Sequence, residues 1–292
     1  MNQMVMTTGT STALPGILED FAQYLASLWK GGFTHRYAIT HHRAWNPWKA
    51  RHEKAKEWWC ESLGEAAAHY SWPERDAPNS FDCIAERLRS ELFALGDKSD
   101  DALAEACLAV FKWGGVARTA KDPSRQWLAT RNGLHASIQD AVKRLHPNAV
   151  DSLKRFDGKD LLMNSAMTKV YAAADPEQII IYDGRVGAAL GLLVRHWLTS
   201  RKQVQVPAEL AFRWGPHATS TSSRNPSVGP LKFQSLYTAS TQQSNSVEYW
   251  AKLVRDSNRL LRRVVQILQE QGVAVRLLDL ERALFMIGYR VA

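Results

Sequence analysis

The sequence predicts an all-α protein, and two observations carry that prediction. Apolar residues recur at intervals of three and four over most of the 292-residue chain, as they do along the buried face of a helix. Gly, Pro, Ser and Asp stand where these periodic stretches begin and end, which is where helices are capped and broken. No stretch shows the sustained alternation of apolar and polar residues that indicates a strand.

Predicted helices follow one another along almost the whole chain. A Gly-Gly pair ends the first helix, an Asp-Pro pair begins a long helix at 124, and an Asp-Gly pair begins the helix at 183. The predicted helices are 14–30, 49–64, 81–95, 99–113, 124–145, 149–156, 160–174, 183–198, 207–214, 247–270 and 277–287. Residues 33–48 and 71–80 are expected to be irregular connections.

Residues 216–246 differ in composition from the rest, because Ser and Thr are frequent there and prolines interrupt them. The segment is too long for an ordinary connection in a compact domain. Two interpretations stay open, an ordered loop that faces a substrate and a flexible insertion.

Composition points to a basic protein with no redox or metal chemistry. The formal net charge of +8 is typical of proteins that bind a polyanion, although many basic proteins bind no nucleic acid. Cys60, Cys83 and Cys107 form no C-x-x-C pair, which indicates free thiols in a reducing compartment and excludes a four-cysteine iron–sulfur cluster. We therefore expect no metal and no cofactor.

Residues 1–13 are expected to form a flexible N-terminus. They have no basic start and no sustained apolar stretch, so they do not read as a secretory signal. The longest apolar run, 188–194, is too short to span a bilayer. We expect a monomeric, cytoplasmic protein with no membrane partner.

The chemistry that stands out lies in residues 160–198. Asp183 begins a helix with one apolar stripe, and three isoleucines at 179–181 make its approach apolar. Lys169 precedes Asp183 by 14 residues, enough for a helix and a turn to bring both side chains into one cleft. The commoner role of such an aspartate is a helix cap worth about 1 kcal/mol, and the commoner lysine is solvated.

Two segments of this stretch resemble a known family. Thr168-Lys169-Val170 and Asp183-Gly184-Arg185-Val186 resemble the catalytic region of the helix-hairpin-helix DNA glycosylases, most closely the 8-oxoguanine DNA glycosylase-like branch. The resemblance implies a fold of two helical lobes around a cleft, which we place at 14–120 and 121–292. Where the family carries hairpin glycines, residues 163–167 read Met-Asn-Ser-Ala-Met.

The resemblance also implies roles for single residues. Lys169 corresponds to the amine nucleophile and Asp183 to the essential carboxylate. Asn164 and Ser165 lie in the hairpin and Arg185 follows Asp183, so all three are predicted to contact DNA.

Polar residues in the long loop add to the predicted DNA contacts. Arg224 and Asn225 carry guanidinium and amide groups, which are common phosphate ligands. Three arginines of the 247–270 helix share one side, and they either meet DNA or form a solvated ridge, the commoner case: Arg255, Arg259 and Arg262.

Tryptophans and cations alternate in residues 45–59, a pattern that suits nucleic acid because rings stack on bases and cations neutralise phosphates. Trp45 and Trp48 are our guess for the walls of a base pocket. A helix with buried tryptophans and a solvated basic face explains the same pattern and is the commoner case.

The resemblance implies a DNA glycosylase that flips a modified base out of double-stranded DNA and cleaves its N-glycosidic bond, and the basic charge agrees with a DNA partner. Attack by Lys169 would add strand cleavage through a Schiff base. Oxidised guanine is the substrate that the family implies, and a bulky modified cytosine of viral genomes, which would make this a defence enzyme, is the other hypothesis. A non-catalytic DNA-binding module and a helical interaction scaffold are the alternatives.

Overall fold

The structure, a computed structural model, describes residues 14, 16–39, 57–70, 72, 80–94, 99–216, 223–237 and 243–292. This part of the chain is mostly helical, with one two-stranded sheet, which confirms a largely all-α fold. The elements are α1 (Gly16–Ser27), β1 (His35–Ala38), β2 (Glu57–Cys60), α2 (Leu63–Ala68), α3 (Phe81–Leu92), α4 (Asp100–Gly114), α5 (Pro123–Thr130), α6 (Leu134–Leu145), α7 (Met167–Ala174), α8 (Gly184–Ser200), a 3-10 turn (Ala208–Leu210), α9 (Gln243–Glu270) and α10 (Leu277–Ile287).

Residues 57–60 are a strand, so the prediction of a helix over 49–64 is wrong there. In the antiparallel register Tyr37 pairs with Trp58, and their rings stack with centroids 5.0 Å apart. Trp58 and Cys60 are fully buried and alternate with half-buried neighbours. The sequence did not show this because two buried positions in four residues are too few to separate a strand from a helix.

The predicted helix over 124–145 is broken into α5 and α6. The break ends at Gly133, whose φ of 70° lies in the left-handed region that favours glycine. The carboxylate of Asp100 accepts the N–H groups of Gly133 and Leu134, at 2.8 and 3.0 Å. The first turn of α6 is therefore capped by a side chain from α4, which no local pattern reveals.

The predicted helices over 149–156, 160–166 and most of 207–214 are also wrong. Residues 147–151 offer their carbonyl oxygens to α9: Arg259 Nε donates to Pro147 O at 2.9 Å, and an Arg255 Nη donates to Asp151 O at 2.7 Å. These bonds replace those of a helix. They also place the two arginines against the protein rather than in a solvated ridge.

Helices α7 and α8 lie at the centre of the molecule. Every residue of α7 is buried, and α3 and α4 pack against it, while α8 packs against α10. In turn α2 packs on α10 and α1 on α9, so helices from 14–120 and from 121–292 share one continuous core. The division into two lobes stays a prediction. None of the helices in the described ranges combines the length and the apolar character needed to cross a membrane.

Part of the long polar loop is ordered against α8. A Cβ on Gly191 would lie 2.6 Å from Cγ of Pro226, and one on Gly187 would overlap the carbonyl oxygen of Arg213. Only glycine permits approaches this close. Residues 213–215 and 223–237 are thereby held along the helix that Asp183 begins, whereas residues 217–222 and 238–242 lie outside the described ranges.

Candidate active site

The segment leading to Asp183 is held by side chains from three helices. Thr168 Oγ1 of α7 accepts the N–H of Tyr182 at 2.9 Å. Asn258 of α9 accepts the N–H of Ile180 at 2.9 Å, and Glu281 of α10 accepts that of Ile181 at 2.7 Å. Since this extended segment has no helix or sheet partner for its amides, these side chains fix its path.

The two carboxylate oxygens of Asp183 have different partners, the first turn of α8 and the amine of Lys169. Its Oδ1 accepts the N–H groups of Arg185 and Val186, at 2.9 and 3.3 Å, so it caps α8 as predicted. Its Oδ2 lies 3.5 Å from Nζ of Lys169. The prediction that both side chains enter one cleft is therefore confirmed.

Lys169 reaches Asp183 through the interior. It is only 5% exposed, and its amine donates to the carbonyl oxygen of Ser165 at 2.9 Å. The aliphatic part of its side chain passes α4 at Gly114, where a Cβ on the glycine would lie 2.5 Å from Cδ of the lysine. The position of the amine thus depends on the missing side chain at Gly114.

Burial by itself moves the pKa values of Lys169 and Asp183 in opposite directions. Burial lowers the pKa of Lys169, and the carboxylate of Asp183 offsets only part of that effect. Burial would raise the pKa of Asp183, but Lys169, Arg185 and Arg224 outweigh it and hold that pKa below its ordinary value. Asp183 is therefore ionised at neutral pH, while the amine loses its proton more readily than a solvated lysine.

A cavity of about 190 Å³ opens beside the pair. Four aromatic rings form part of its walls, and among them Trp72 stands perpendicular to Phe285 with ring centroids 5.3 Å apart. A larger cavity of about 1010 Å³ shares part of these walls. The residues that line both cavities are Tyr70, Trp72, Trp113 and Glu281.

Arg185 and Arg224 line the smaller cavity together with Lys169 and Asp183. The guanidinium of Arg185 lies 4.4 Å from the ring centroid of Phe285, a cation–π arrangement. Arg224 Nε donates to the carbonyl oxygen of Tyr289 at 3.4 Å. Burial lowers the pKa of both arginines, which nevertheless stay cationic at neutral pH because a free guanidinium has a pKa above about 12.

Glu281 brings a second carboxyl group to the cavity. Burial raises its pKa to about 8, and the negative charge of Asp183 acts in the same direction. Glu281 is therefore mostly protonated at neutral pH and can donate a hydrogen bond as well as accept one. Nothing in the sequence singles out this residue, since it lies on a predicted helix about 100 residues beyond Asp183.

Asn164, Ser165 and Asn225, which were also predicted to contact DNA, make hydrogen bonds within the protein. Asn164 Oδ1 accepts the N–H groups of Ala166 and Met167, so this side chain starts α7. Ser165 lines the cavity and holds Lys169 through its carbonyl oxygen. Asn225 Oδ1 accepts the N–H of Ser227 at 3.0 Å within its own turn.

The aromatic walls were not predicted. Trp45 and Trp48, our guess for them, lie outside the described residues. The rings that do line the cavity are Tyr70, Trp72, Trp113 and Phe285. The aromatic richness of 70–72 and Trp113 before a Gly-Gly pair were the available signals, but nothing local connects them to Asp183.

No protein-family model matches this chain, no curated protein matches its sequence, and no solved structure matches its fold. The chemistry of the site therefore has to follow from its own side chains.

Proposed function

We propose that this protein is a DNA glycosylase that takes a modified base out of duplex DNA and breaks its bond to the sugar. One observation carries the proposal. A buried amine and an ionised carboxylate, on Lys169 and Asp183, lie 3.5 Å apart beside a cavity walled by aromatic rings. A flipped base stacks on such walls, and charged groups such as these can act on its sugar.

Each member of the pair has a separate task. Positive charge builds on the sugar as the bond to the base breaks, and the ionised Asp183 would stabilise it in a site with little water. The amine of Lys169 would attack C1′ once it has lost its proton, which its lowered pKa favours. If the lysine does not attack, water does, and the product is an abasic site without strand cleavage.

For the fold, we infer that α7 and the turn before it form the second half of a helix-hairpin-helix element. The motif Thr168-Lys169-Val170 supports this, because Thr168 positions the approach to Asp183 while Lys169 enters the cavity. The phosphate contact would differ from the family pattern. The N–H groups of Ala166 and Met167 are already bound by Asn164, so positive side chains would have to position the DNA.

The two proposed substrates make different demands on the site. Oxidised guanine would place its rings between the aromatic walls of the smaller cavity. A modified cytosine has a smaller ring system, and a bulky substituent on it would extend into the adjoining cavity of about 1010 Å³. Both substrates are therefore compatible with the proposed activity.

The test is base release from duplexes that carry 8-oxoguanine, 5-hydroxymethylcytosine or glucosylated 5-hydroxymethylcytosine. Wild type is compared with Asp183→Asn, which keeps a helix cap but removes the charge, and with Lys169→Gln. Asp122 caps α5 in the same way, and Lys143 is a largely exposed lysine, so Asp122→Asn and Lys143→Gln are the matched controls.

We expect release by wild type and both controls, none by Asp183→Asn, and no strand cleavage by Lys169→Gln. Activity that survives in Asp183→Asn would reduce Asp183 to a cap. No release from any duplex, with salt-sensitive binding retained, would favour the alternative of a non-catalytic DNA-binding module.

A further inference from the structure

Positive charge dominates the walls of the smaller cavity. The guanidinium groups of Arg185 and Arg224 stand beside the Lys169 amine and face a single ionised carboxylate, that of Asp183, while Glu281 is mostly neutral. An uncompensated charge away from water is costly, so a cavity of this kind is suited to a ligand that brings negative charge.

Most N–H groups of the Arg224 guanidinium have no hydrogen-bond acceptor among the described residues. It is 9% exposed, and among the described residues its one hydrogen bond is the weak contact of Nε with Tyr289. Its terminal nitrogens have no hydrogen-bond partner in the described parts of the chain, and the side chain lines the smaller cavity. The negative charge of Asp183 acts on Arg224, and no ion pair joins the two among the described residues.

The backbone on both sides of Arg224 is anchored. The carbonyl oxygen of Ser223 accepts the N–H of Val291 at 2.8 Å, and the carbonyl oxygen of Pro226 accepts a bond from Arg195 at 3.0 Å. Pro226 also packs into the gap at Gly191. These contacts fix the backbone of Arg224, and the bond of its Nε to Tyr289 restrains the guanidinium, which is the preorganisation that makes an electrostatic contact effective in catalysis.

Cleavage of an N-glycosidic bond creates two charges of opposite sign. The electron pair of the C1′–N bond stays on the base, which becomes an anion, and the sugar becomes positive. Water or the Lys169 amine then captures C1′, and the base anion takes a proton from water. Asp183 stabilises only the sugar, so the positive groups around it would oppose the reaction unless they face the base.

We infer that Arg224, assisted by Arg185, hydrogen-bonds the departing base and stabilises the negative charge that the base acquires. This inference rests on the proposed function. A guanidinium offers two parallel N–H groups, which match a carbonyl oxygen and the adjacent ring nitrogen of a base. The substrate class is a neutral base with a carbonyl on its edge, which leaves as an anion. Cationic alkylated bases, which leave as neutral molecules, gain nothing from this contact.

The test compares Arg224→Gln with wild type on two kinds of duplex. One kind carries 8-oxoguanine or a 5-hydroxymethylated cytosine, and the other carries 7-methylguanine, which is cationic. Arg224→Lys keeps the charge but loses the fork, and Arg201→Gln removes a half-exposed arginine away from the cavity. Thermal unfolding of each variant checks that the fold is intact.

For the neutral base that wild type releases, we expect Arg224→Gln to slow single-turnover release about 100-fold. Arg224→Lys should lie between the two, and Arg201→Gln should equal wild type. Release of 7-methylguanine should be slow in wild type and no slower in Arg224→Gln. A merely structural role for Arg224 would slow both kinds of duplex equally.

Two further results would overturn the inference. If wild type releases a neutral base and Arg224→Gln does so at the same rate, the role of Arg224 is wrong while the proposed function stands. If wild type releases no base from any duplex, the proposed function fails and the role of Arg224 fails with it.

Discussion

Gly114 and Lys169 are fitted to each other: a Cβ on the glycine would lie 2.5 Å from Cδ of the lysine and 2.9 Å from its Cε. Because Gly114, the last residue of α4, has no side chain, the Lys169 chain has room to pass and its amine reaches Asp183. A methyl group at position 114 would clash with the far part of the flexible Lys169 side chain. The lysine could therefore move aside, and its amine would be displaced.

Gly114→Ala should therefore damage the site more than the fold. We expect amine attack, and with it strand cleavage, to fall at least about tenfold, because a displacement of the amine by about 1 Å is enough to lose a productive geometry. The melting temperature should change by less than about 3 °C. Borohydride trapping of the DNA adduct measures the loss of amine attack directly.

Gly31→Ala is the control for this change, since a Cβ there would meet nothing within 4 Å. If Gly114→Ala forms the adduct as fast as wild type, the position of the Lys169 amine does not limit the reaction.

Glu281 should make stability depend on pH. Burial raises its pKa to about 8 from 4.5, so the folded protein keeps a proton that the unfolded chain releases. The resulting stabilisation is complete below about pH 4.5 and is lost as the pH rises towards 8. Wild type should lose melting temperature between about pH 5 and about pH 8.5, and Glu281→Gln should lose less.

The glutamine keeps an oxygen that can accept the N–H of Ile181, which makes the comparison one of charge alone. Glu270, which is largely exposed at the end of α9, serves as the control in Glu270→Gln. Identical slopes for wild type and Glu281→Gln would mean that Glu281 titrates near its ordinary pKa.

Phe285→Leu should weaken the hold on a flipped base without weakening DNA binding. The ring of Phe285 lines the cavity and stands against Trp72 and Arg185. Stacking on an aromatic ring is worth about 1–3 kcal/mol per base, so release should slow by about 5- to 100-fold. Affinity for unmodified duplex, measured at one salt concentration, should stay the same.

Phe93 is exposed, and Phe93→Leu should change neither quantity. A loss of affinity for unmodified DNA in Phe285→Leu would instead place this ring on the duplex-binding surface.

What the sequence determined by itself is the local structure around the site. The helices at 99–113 and 277–287 are found within a residue or so of their predicted bounds. Asp183 caps α8, and the spacing of 14 residues brings Lys169 to its carboxylate. These features depend on capping and on periodicity, which act over one or two helical turns and are therefore written in neighbouring residues.

What only the tertiary structure decided is the surroundings of that pair. Glu281 lies beside Asp183, Arg185 and Arg224 turn towards a cavity, and Trp72, Trp113 and Phe285 form its walls. In the same way Asp100 caps α6 from a distance, and Trp58 belongs to a strand because its segment pairs with the distant segment that contains Tyr37. Burial and charge depend on partners far away in sequence, so the pKa values and the walls of the site follow from the packing.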